Sequence, residues 1–258
     1  MKATIGVLGD TAVSKVNQYR TSKRSYFILT MMGGFFVGFG IILIFTVGGL
    51  LGPTGFAGTK IIMGLTFGIA LSLVLMAGAD LFTSNNMIMM IGTLAKKTTW
   101  LETIQIWLFS YIGNFAGAVL IAALFFNTGL ATGGTADFLN MAAADKMNAP
   151  FMELLFRGIM CNILVCLAVW CSFKLKEETA KLIVIFWCLF AFITSGFEHS
   201  IANMTLLSIS LMVPHPETIT LAGLAANLVP VTIGNVIGGA IFIGAGYWFG
   251  NTELKKGI

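Results

Sequence analysis

Two short polar stretches interrupt apolar helical segments and hold the residue types that could do chemistry. The first reads Gly-Ala-Asp-Leu-Phe-Thr-Ser-Asn at residues 78–85, and the second reads Gly-Phe-Glu-His-Ser-Ile-Ala-Asn at residues 196–203. At an offset of 118 residues, both read Gly, any residue, a carboxylate, four further residues and Asn. A membrane-spanning helix tolerates such a break only where protein or a water-lined cavity covers the exposed backbone. Matching breaks in two halves of a chain therefore predict a transport site in an inverted-repeat membrane protein.

The matching members of the two breaks favour a structural role. Asp80 and Glu198 occupy equivalent places, and paired carboxylates can serve a hydrolytic site, but neither a nucleophile nor a water-handling loop accompanies them. We therefore expect each carboxylate to accept hydrogen bonds from backbone groups that its break sets free. Asn85 and Asn203 are expected to do the same for the unwound ends.

The members that differ between the breaks could handle an anion. Thr83 and Ser84 offer hydroxyl donors without fixed charge, which suit a small anion beside the N–H groups of half-helix ends. His199 is one of two histidines, and we expect it to act in permeation, although a lone histidine on an apolar helix is often a packing residue. Lys146, in the predicted external loop 128–150, either raises the anion concentration at an entrance or is an ordinary solvated lysine.

Large apolar side chains border the two breaks. Phe67 and Leu71 share one side of the second span, and Leu81, Phe82 and Phe192 lie beside the interruptions. Such a set is core in most proteins. If it lines a pore instead, it strips water from the permeating species, so that a charged ion crosses poorly and a weak acid crosses in neutral form.

Composition identifies an integral membrane protein. The chain has 258 residues, 57% hydrophobic and 10% charged, with a mean hydropathy of +0.91, whereas soluble domains carry about 25% charged residues. The net charge of +4 arises from short basic clusters at the ends of apolar runs, which is typical of membrane topology. Nucleic acid is therefore not an expected partner, and neither a metal nor a cofactor is expected.

Six crossings are predicted, because about 20 apolar residues cross a bilayer. They lie near 26–50, 60–79, 101–127, 151–173, 181–197 and 224–249, while the short apolar pieces 86–95 and 201–213 complete the second and fifth spans as broken helices. Twelve basic residues fall on the side of the termini and three, Lys60, Lys146 and Arg157, on the other. The positive-inside rule then predicts cytoplasmic termini in the cell's inner (plasma) membrane.

An internal repeat extends beyond the breaks. Ile-Gly-Asn followed two residues later by Gly occurs at 112–117 and again at 233–238, an offset of 121 residues, and small residues at this spacing let helices approach closely. We predict an all-α channel domain over 26–250, with inverted three-helix repeats at 26–127 and 151–249 and a cytoplasmic tail at 251–258. The N-terminal segment 1–25 fits an amphipathic helix on the membrane surface and, equally, an ordinary basic flank.

The break motifs ADLFTSN and SGFEHSIANM closely resemble those of the formate/nitrite transporter family. The resemblance covers essentially the whole chain, including NILVCLAVW in the fourth span and VPVTIGNVIGG in the sixth. It implies an aquaporin-like protomer assembled as a homopentamer in the lipid bilayer, with one pore per protomer. It also implies a gating role for the basic N-terminal segment.

The resemblance implies residue roles as well. Thr83 and His199 match a central pair that contacts the anion, while Lys146 and Asn162 match residues thought to attract or orient it. Glu198 matches the neighbour of the histidine. Two apolar constrictions are implied, one on the cytoplasmic side and one on the periplasmic side; the matching residues are Leu71, Leu81 and Phe82 for the first and Phe67 and Phe192 for the second.

The expected function is a channel for small monovalent anions of weak acids, namely hydrosulfide, formate or nitrite. Phe197 stands where nitrite-type members often have Tyr, and the chain looks similar to the hydrosulfide channels, so the sequence favours hydrosulfide. Two alternatives stay open. One is a proton-coupled formate or nitrite transporter, and the other is an aquaporin-like pore for neutral solutes, although the two Asn-Pro-Ala boxes of aquaporins do not occur. No enzymatic motif is present.

Overall fold

The computed structural model describes residues 2–252, which are helical apart from their connections. Most of the predicted tail 251–258 lies outside these residues. The helices are α1 (Lys2–Thr21), α2 (Lys23–Leu51), α3 (Thr59–Thr66), α4 (Ile69–Met76), α5 (Phe82–Leu94), α6 (Trp100–Asn127), α7 (Gly133–Asn148), α8 (Phe151–Lys174), α9 (Glu178–Ser195), α10 (Ser200–Met212), α11 (Leu221–Val236) and α12 (Gly246–Thr252), with a π-helical segment, Ile237–Ala245, between the last two.

Six stretches of the described chain are long and apolar enough to cross a membrane, which confirms the predicted number. They are Lys23–Thr54, Thr59–Met76, Trp100–Asn127, Phe151–Lys174, Glu178–Ser195 and Leu221–Asn251. Helices α5 and α10 are shorter and follow the second and fifth spans. The second and fifth transmembrane helices are therefore broken, as the sequence predicts.

The unwound segments are shorter than the sequence motifs that mark them. Residues 77–81 separate α4 from α5, and residues 196–199 separate α9 from α10. Helical hydrogen bonds resume at once, because the N–H of Asn85 donates to the carbonyl of Leu81 (3.0 Å) and the N–H of Asn203 to that of His199 (2.9 Å). The two asparagines thus belong to the first turns of the half-helices rather than to unwound backbone, which corrects the expected position.

Glycine lets the first and third spans of each half approach closely. A Cβ atom at Gly113 of α6 would overlap the hydroxyl of Thr30 in α2, and one at Gly234 of α11 would overlap the carbonyl of Leu155 in α8. Both glycines belong to the repeated Ile-Gly-Asn motif. The close helix approach expected from that motif is present in both halves.

Helices α1 and α7 pack at opposite ends of α2, which spans about 44 Å at 1.5 Å per residue. The ring of Tyr19 in α1 lies 6.1 Å from that of Tyr26 near the start of α2. At the other end, a Cβ atom at Gly48 would overlap the ring of Phe138 in α7. We call these two ends of the protein the α1 face and the α7 face.

Each of these two helices buries one side. In α1 the buried residues include Leu8, Ala12 and Val16, and in α7 they include Leu139 and Ala143. A spacing of four residues is that of one helix face. The segment 128–150, expected as a loop, therefore contains a packed helix, and the N-terminal segment is also helical.

Candidate functional site

The structure brings Thr83 and His199 into direct contact. Thr83 lies in the first turn of α5 and His199 is the N-cap residue of α10, and the Thr83 Oγ1 and His199 Nε2 atoms are 3.0 Å apart. Both side chains are buried, with 0% and 5% of their surface exposed. Two residues that differ between the matching breaks thus meet where the two halves of the chain face each other.

Hydrogen bonding determines which imidazole nitrogen carries a proton. The backbone N–H of Ala202 donates to His199 Nδ1 at 3.1 Å, so Nδ1 must be unprotonated. The neutral ring then carries its hydrogen on Nε2 and donates it to Thr83 Oγ1. The hydroxyl hydrogen of Thr83 remains available to another acceptor, such as an anion.

Half-helix ends add further donors around this pair. Among the described residues, the N–H groups of Thr83 and Ser84 in α5 and of Ile201 in α10 have no hydrogen-bond partner, and neither does the Ser84 hydroxyl. Helix N-termini carry a partial positive charge and bind anions through such N–H groups. The arrangement can therefore stabilise a small anion without a fixed positive charge.

Most of the predicted constriction residues surround one small cavity beside the histidine. Phe67, Leu71, Leu81, Phe192 and His199 all line a space of about 10 Å³, close to the minimum for one water molecule. The rings of Phe67 and Phe192 meet edge to face, with centroids 5.5 Å apart. This cavity is thus narrow and apolar next to the polar pair.

Phe82 is placed differently from the other predicted constriction residues. Its ring packs against Tyr111 of α6, with centroids 5.0 Å apart, and only 3% of its surface is exposed. It does not line the small cavity. Its predicted role in a constriction stays a prediction.

On the α1 face, the first carboxylate binds side chains rather than freed backbone groups. Asp80 Oδ1 accepts a hydrogen bond of 2.6 Å from the Asn85 amide, and Asp80 Oδ2 pairs with the ammonium of Lys15 in α1. The side chains of Lys15 and Asp80 are 15% and 7% exposed. Lys15, which the sequence indicates only as part of a basic flank, thus links α1 to the first break through an ion pair.

On the α7 face, the second carboxylate has equivalent partners. Glu198 Oε2 accepts a hydrogen bond from the Asn203 amide and Glu198 Oε1 pairs with the Lys146 ammonium, both at 2.6 Å. Asn227 then accepts a hydrogen bond from Asn203 and donates one to the carbonyl of Lys146. Both carboxylates were expected to bind freed backbone groups. Each one instead binds the side chains of a lysine and an asparagine.

Asparagines from the third and sixth spans bind the freed backbone groups. Asn114 Oδ1 accepts from the N–H of Phe82 at 2.8 Å, and Asn114 Nδ2 donates to the carbonyls of Thr30 (2.6 Å) and Asp80 (2.9 Å). The Asn114 side chain thus supplies hydrogen-bond partners to the N–H group that begins α5 and to a carbonyl group within the break.

Asn235 repeats this pattern in the second half. It accepts from the N–H of Ser200 at 2.9 Å and donates to the carbonyls of Gly158 (2.8 Å) and Glu198 (3.0 Å). Sequence reasoning missed this role of Asn114 and Asn235. The sequence does contain a signal for it, because the asparagine of the Ile-Gly-Asn motif recurs in both halves together with the glycine.

Asn162 lies behind Thr83. It is fully buried, and its amide nitrogen contacts the carbonyl of Thr83 (3.2 Å), the amide oxygen of Asn86 (3.0 Å) and the carbonyl of Asn235 (2.7 Å). These bonds brace the first turn of α5 from the side of α8. A role in orienting a substrate would act through Thr83.

A vestibule of about 530 Å³ leads from α7 to the buried pair. His199 and Phe192 lie at its inner end, and Lys146 and Glu198 are among its walls. Phe192 and His199 also line the small apolar cavity. Phe192 and His199 therefore lie where the vestibule borders the narrow apolar cavity.

Six apolar spans, two broken helices and a buried polar pair between half-helix ends define a membrane transport protein rather than an enzyme. The family model "Formate/nitrite transporter" matches residues 2–249. The chain belongs to the formate/nitrite transporter family.

Similar proteins support this assignment. The nitrite transporter NirC of Escherichia coli (strain K12) is 43% identical over 238 residues, covering 90% of this chain and 86% of the relative. The formate channel FocA of the same strain is 32% identical over 252 residues, covering 89% and 88%.

Two solved structures share the fold. One, described as an FNT family ion channel, matches with a TM-score of 0.93 and 38% identity over 97% of this chain and all of its own. A pentameric formate channel with formate bound matches with a TM-score of 0.73 and 28% identity, covering 87% of this chain and 96% of that one.

Proposed function

We propose that this chain is a membrane channel for small monovalent anions of weak acids. The observation that carries the proposal is the contact between Thr83 and His199 at 3.0 Å, made where α5 and α10 begin and next to a narrow apolar cavity. The hydroxyls of Thr83 and Ser84 and the free N–H groups of the half-helix ends are the donors available there to an anion, and the imidazole orients the Thr83 hydroxyl. The matches to a nitrite transporter and a formate channel support the same class of substrate.

The apolar cavity argues for permeation in a form that carries little charge. A fully charged ion loses its hydration among Phe67, Leu71, Leu81 and Phe192, and burying an isolated charge is costly. At the polar pair the anion regains hydrogen bonds. There it takes up a proton that enters through the vestibule, and the neutral acid crosses the remaining apolar segment and releases the proton on the other side.

His199 enters this mechanism as a neutral hydrogen-bond donor. To become a cation it must add a proton at Nδ1, which breaks the bond from Ala202 N–H that caps α10. Protonation of the ring is thus linked to the start of a half-helix. We infer that the site holds the anion mainly by donors and helix ends, with His199 as its electrostatic partner or proton donor.

Formate, nitrite and hydrosulfide are the candidate substrates. The similarity to NirC and FocA favours nitrite and formate, whereas Phe197 in the second break argues against nitrite and the overall resemblance of the chain leans towards hydrosulfide. All three are small anions of weak acids, and the site has no feature that selects one by shape. Competition among them is therefore the decisive measurement for the substrate.

The proposed setting is the inner (plasma) membrane, with both termini cytoplasmic. The basic clusters support this orientation, which places the α1 face inside and the α7 face outside. The similarity to a pentameric formate channel supports a homopentamer, with one pore in each protomer.

A proton-coupled transporter is the second candidate. It is favoured by the single imidazole at the centre of the path, since His199 lines both the vestibule and the small cavity. Flux that follows an imposed pH gradient with a fixed stoichiometry distinguishes it from a passive channel.

Flux into liposomes tests the proposal. We expect the reconstituted protein to carry at least one of formate, nitrite and hydrosulfide, and to carry water and glycerol no faster than protein-free liposomes do. Flux of none of the three anions, in the wild type and in His199→Ala alike, overturns the proposal. Rapid glycerol flux would instead support a neutral-solute pore.

A further inference from the structure

The three basic residues that the sequence places on the side opposite the termini all line the same cavity. Lys60, Lys146 and Arg157 each line the vestibule of about 530 Å³ on the α7 face. Asp145 and Glu198 line it as well. A concave space with largely apolar walls focuses the field of such charges, so the balance among them matters for a charged solute.

Carboxylates neutralise two of the three cations. Lys146 Nζ lies 2.6 Å from Glu198 Oε1, and these side chains are 23% and 4% exposed. Arg157 is paired with Glu153 at 2.6 Å. An ion pair attracts a third charge weakly, because the fields of its two members largely cancel. Lys146, expected from the sequence to attract anions, is therefore poorly suited to that task while this pair is formed.

Lys60 differs from the other two. It is exposed, and among the described residues it has neither an ion pair nor a hydrogen bond from its ammonium group. Asp145, which also lines the vestibule, is exposed and without an ion pair among the described residues, and it belongs to α7 whereas Lys60 belongs to α3. Lys60 thus presents to the vestibule a positive charge that no carboxylate of the described residues pairs with directly.

The position of Lys60 places this charge next to the second break. Its Nζ atom would lie 3.1 Å from a Cβ atom at Gly196, the residue with φ of 77° at which the break begins. His199 follows three residues later and lies at the inner end of the same vestibule. An anion drawn to Lys60 is therefore already beside the segment that holds the buried polar pair.

We propose that Lys60 is the anion-collecting residue of the vestibule, which raises the local concentration of the monovalent anion before it reaches Thr83 and His199. This inference rests on the proposed channel function. A lysine ammonium is a compact, strongly hydrated charge on a flexible stem, so it suits brief contact with a hydrated anion. Recruitment of this kind changes the rate of entry and weakens as salt screens the charge.

The test compares Lys60→Gln with the wild type in liposomes at two ionic strengths. At about 10 mM salt, where the Debye length is about 30 Å, we expect formate or nitrite influx from the α7 face to fall about three- to tenfold. At about 1 M salt, where it is about 3 Å, the two proteins should conduct equally. Lys60→Arg, which keeps the charge, should behave as the wild type at both.

Lys181→Gln is the matched control. It also removes one positive charge, from α9, which packs against the helix α3 that carries Lys60. Lys181 lies near the start of α9, however, about 22 Å along the helix from Gly196 at 1.5 Å per residue, and is therefore far from the vestibule. We expect its influx to equal that of the wild type at both ionic strengths. Asp145→Asn, which removes a negative charge from the vestibule, should change low-salt influx in the opposite direction to Lys60→Gln.

The outcomes separate this inference from the proposed function. Conducting wild type together with equal low-salt influx in Lys60→Gln overturns the inference alone. So does a loss of the same size at both ionic strengths, which would assign Lys60 a structural role. Wild-type protein that carries none of the three anions overturns the channel function and the role of Lys60 together.

Discussion

Asn114 and Asn235 make the same three hydrogen bonds in the two halves of the protein. Each accepts a bond from the first N–H of a half-helix and donates to two carbonyls, one in the break and one in a neighbouring span. No water is available at this depth to replace such bonds. The two asparagines therefore stabilise the conformation that brings Thr83 and His199 together.

Replacing Asn235 with Leu should destabilise the protein. The change leaves the Ser200 N–H and the Glu198 carbonyl without partners, since Gly158 keeps its bond within α8, and each buried partnerless group costs about 1–3 kcal/mol. We expect a loss of about 3 kcal/mol or more, measured as a lower midpoint of thermal unfolding in detergent. Asn127→Leu is the control, because the exposed Asn127 amide binds only a carbonyl of its own helix. Equal midpoints for the two variants would contradict the role of Asn235.

Replacing Thr83 with Val should impair conduction more than folding. The isosteric change removes the hydroxyl that the site offers to an anion and leaves His199 Nε2–H without its acceptor. A hydrogen bond to a charged group is worth about 1.5–3 kcal/mol, so we expect anion flux to fall by about ten- to a hundredfold. Thr83→Ser keeps the hydroxyl and should retain most of the flux. Similar losses in both variants would show that the methyl group, rather than the hydroxyl, is required.

Two substitutions of His199 should separate its structural and chemical roles. Asn is a good N-cap residue, so His199→Asn should keep the start of α10 while removing the titratable ring. Its thermal midpoint should stay near that of the wild type, and its flux should lose whatever part of the pH dependence comes from protonation of the ring.

His199→Leu supplies the comparison for that variant. It removes both the cap and the ring, so it should also lose about 0.5–2 kcal/mol of stability. The same two measurements, thermal unfolding and flux against pH, apply. Unchanged pH dependence in His199→Asn would exclude the ring as the titrating group.

The ion pair between Lys146 and Glu198 should behave as a unit. Removing one partner of a buried pair is typically destabilising by about 3–5 kcal/mol, whereas removing both is much milder. We expect Lys146→Met to lower the thermal midpoint strongly and Lys146→Met with Glu198→Gln to recover most of the loss. A double variant as unstable as the sum of the single variants would show that the two side chains do not couple.

Replacing Leu71 with Ala should widen the narrow part of the path. Leu71 is 3% exposed and lines the cavity of about 10 Å³. Because the shorter side chain enlarges this cavity, anion flux should rise and water permeability should appear, as measured by light scattering after an osmotic step. The matched control is Leu65→Ala in α3, because Leu65 is 39% exposed and lies away from the cavity. Unchanged flux in Leu71→Ala would place the narrowest point elsewhere.

Much of the fold follows from the sequence, because bilayer thickness and charge distribution constrain a membrane protein strongly. The six spans, the broken second and fifth helices and the inverted repeat were all predictable. The points at which α5 and α10 begin were not. Polar residues such as Asn85 and Asn203 indicate that a helix is interrupted nearby. They do not show at which residue backbone hydrogen bonding begins again, and in the structure both already lie in the first turn of the next helix.

The partners of the charged residues were the least predictable part of the site. Lys15 and Asp80 are 65 residues apart, and Lys146 and Glu198 are 52 apart, so only the packing of α1 and α7 brings them together. Composition identifies such lysines as basic flank or loop residues. That Thr83 and His199 belong to one site, in contrast, was expected, because both lie in matched breaks and the family resemblance implies a central pair.

The two lysine–carboxylate pairs and the two asparagine bridges have a consequence for the order in which the protein is made. Among the described residues, the unwound segment 77–81 finds its hydrogen-bond and ion-pair partners, which include Lys15, Leu29, Asn85 and Asn114, within the first half of the chain. A ribosome that has delivered the third span has therefore already supplied the groups that close this break. The nascent half can complete these bonds in the bilayer before the second half is synthesised.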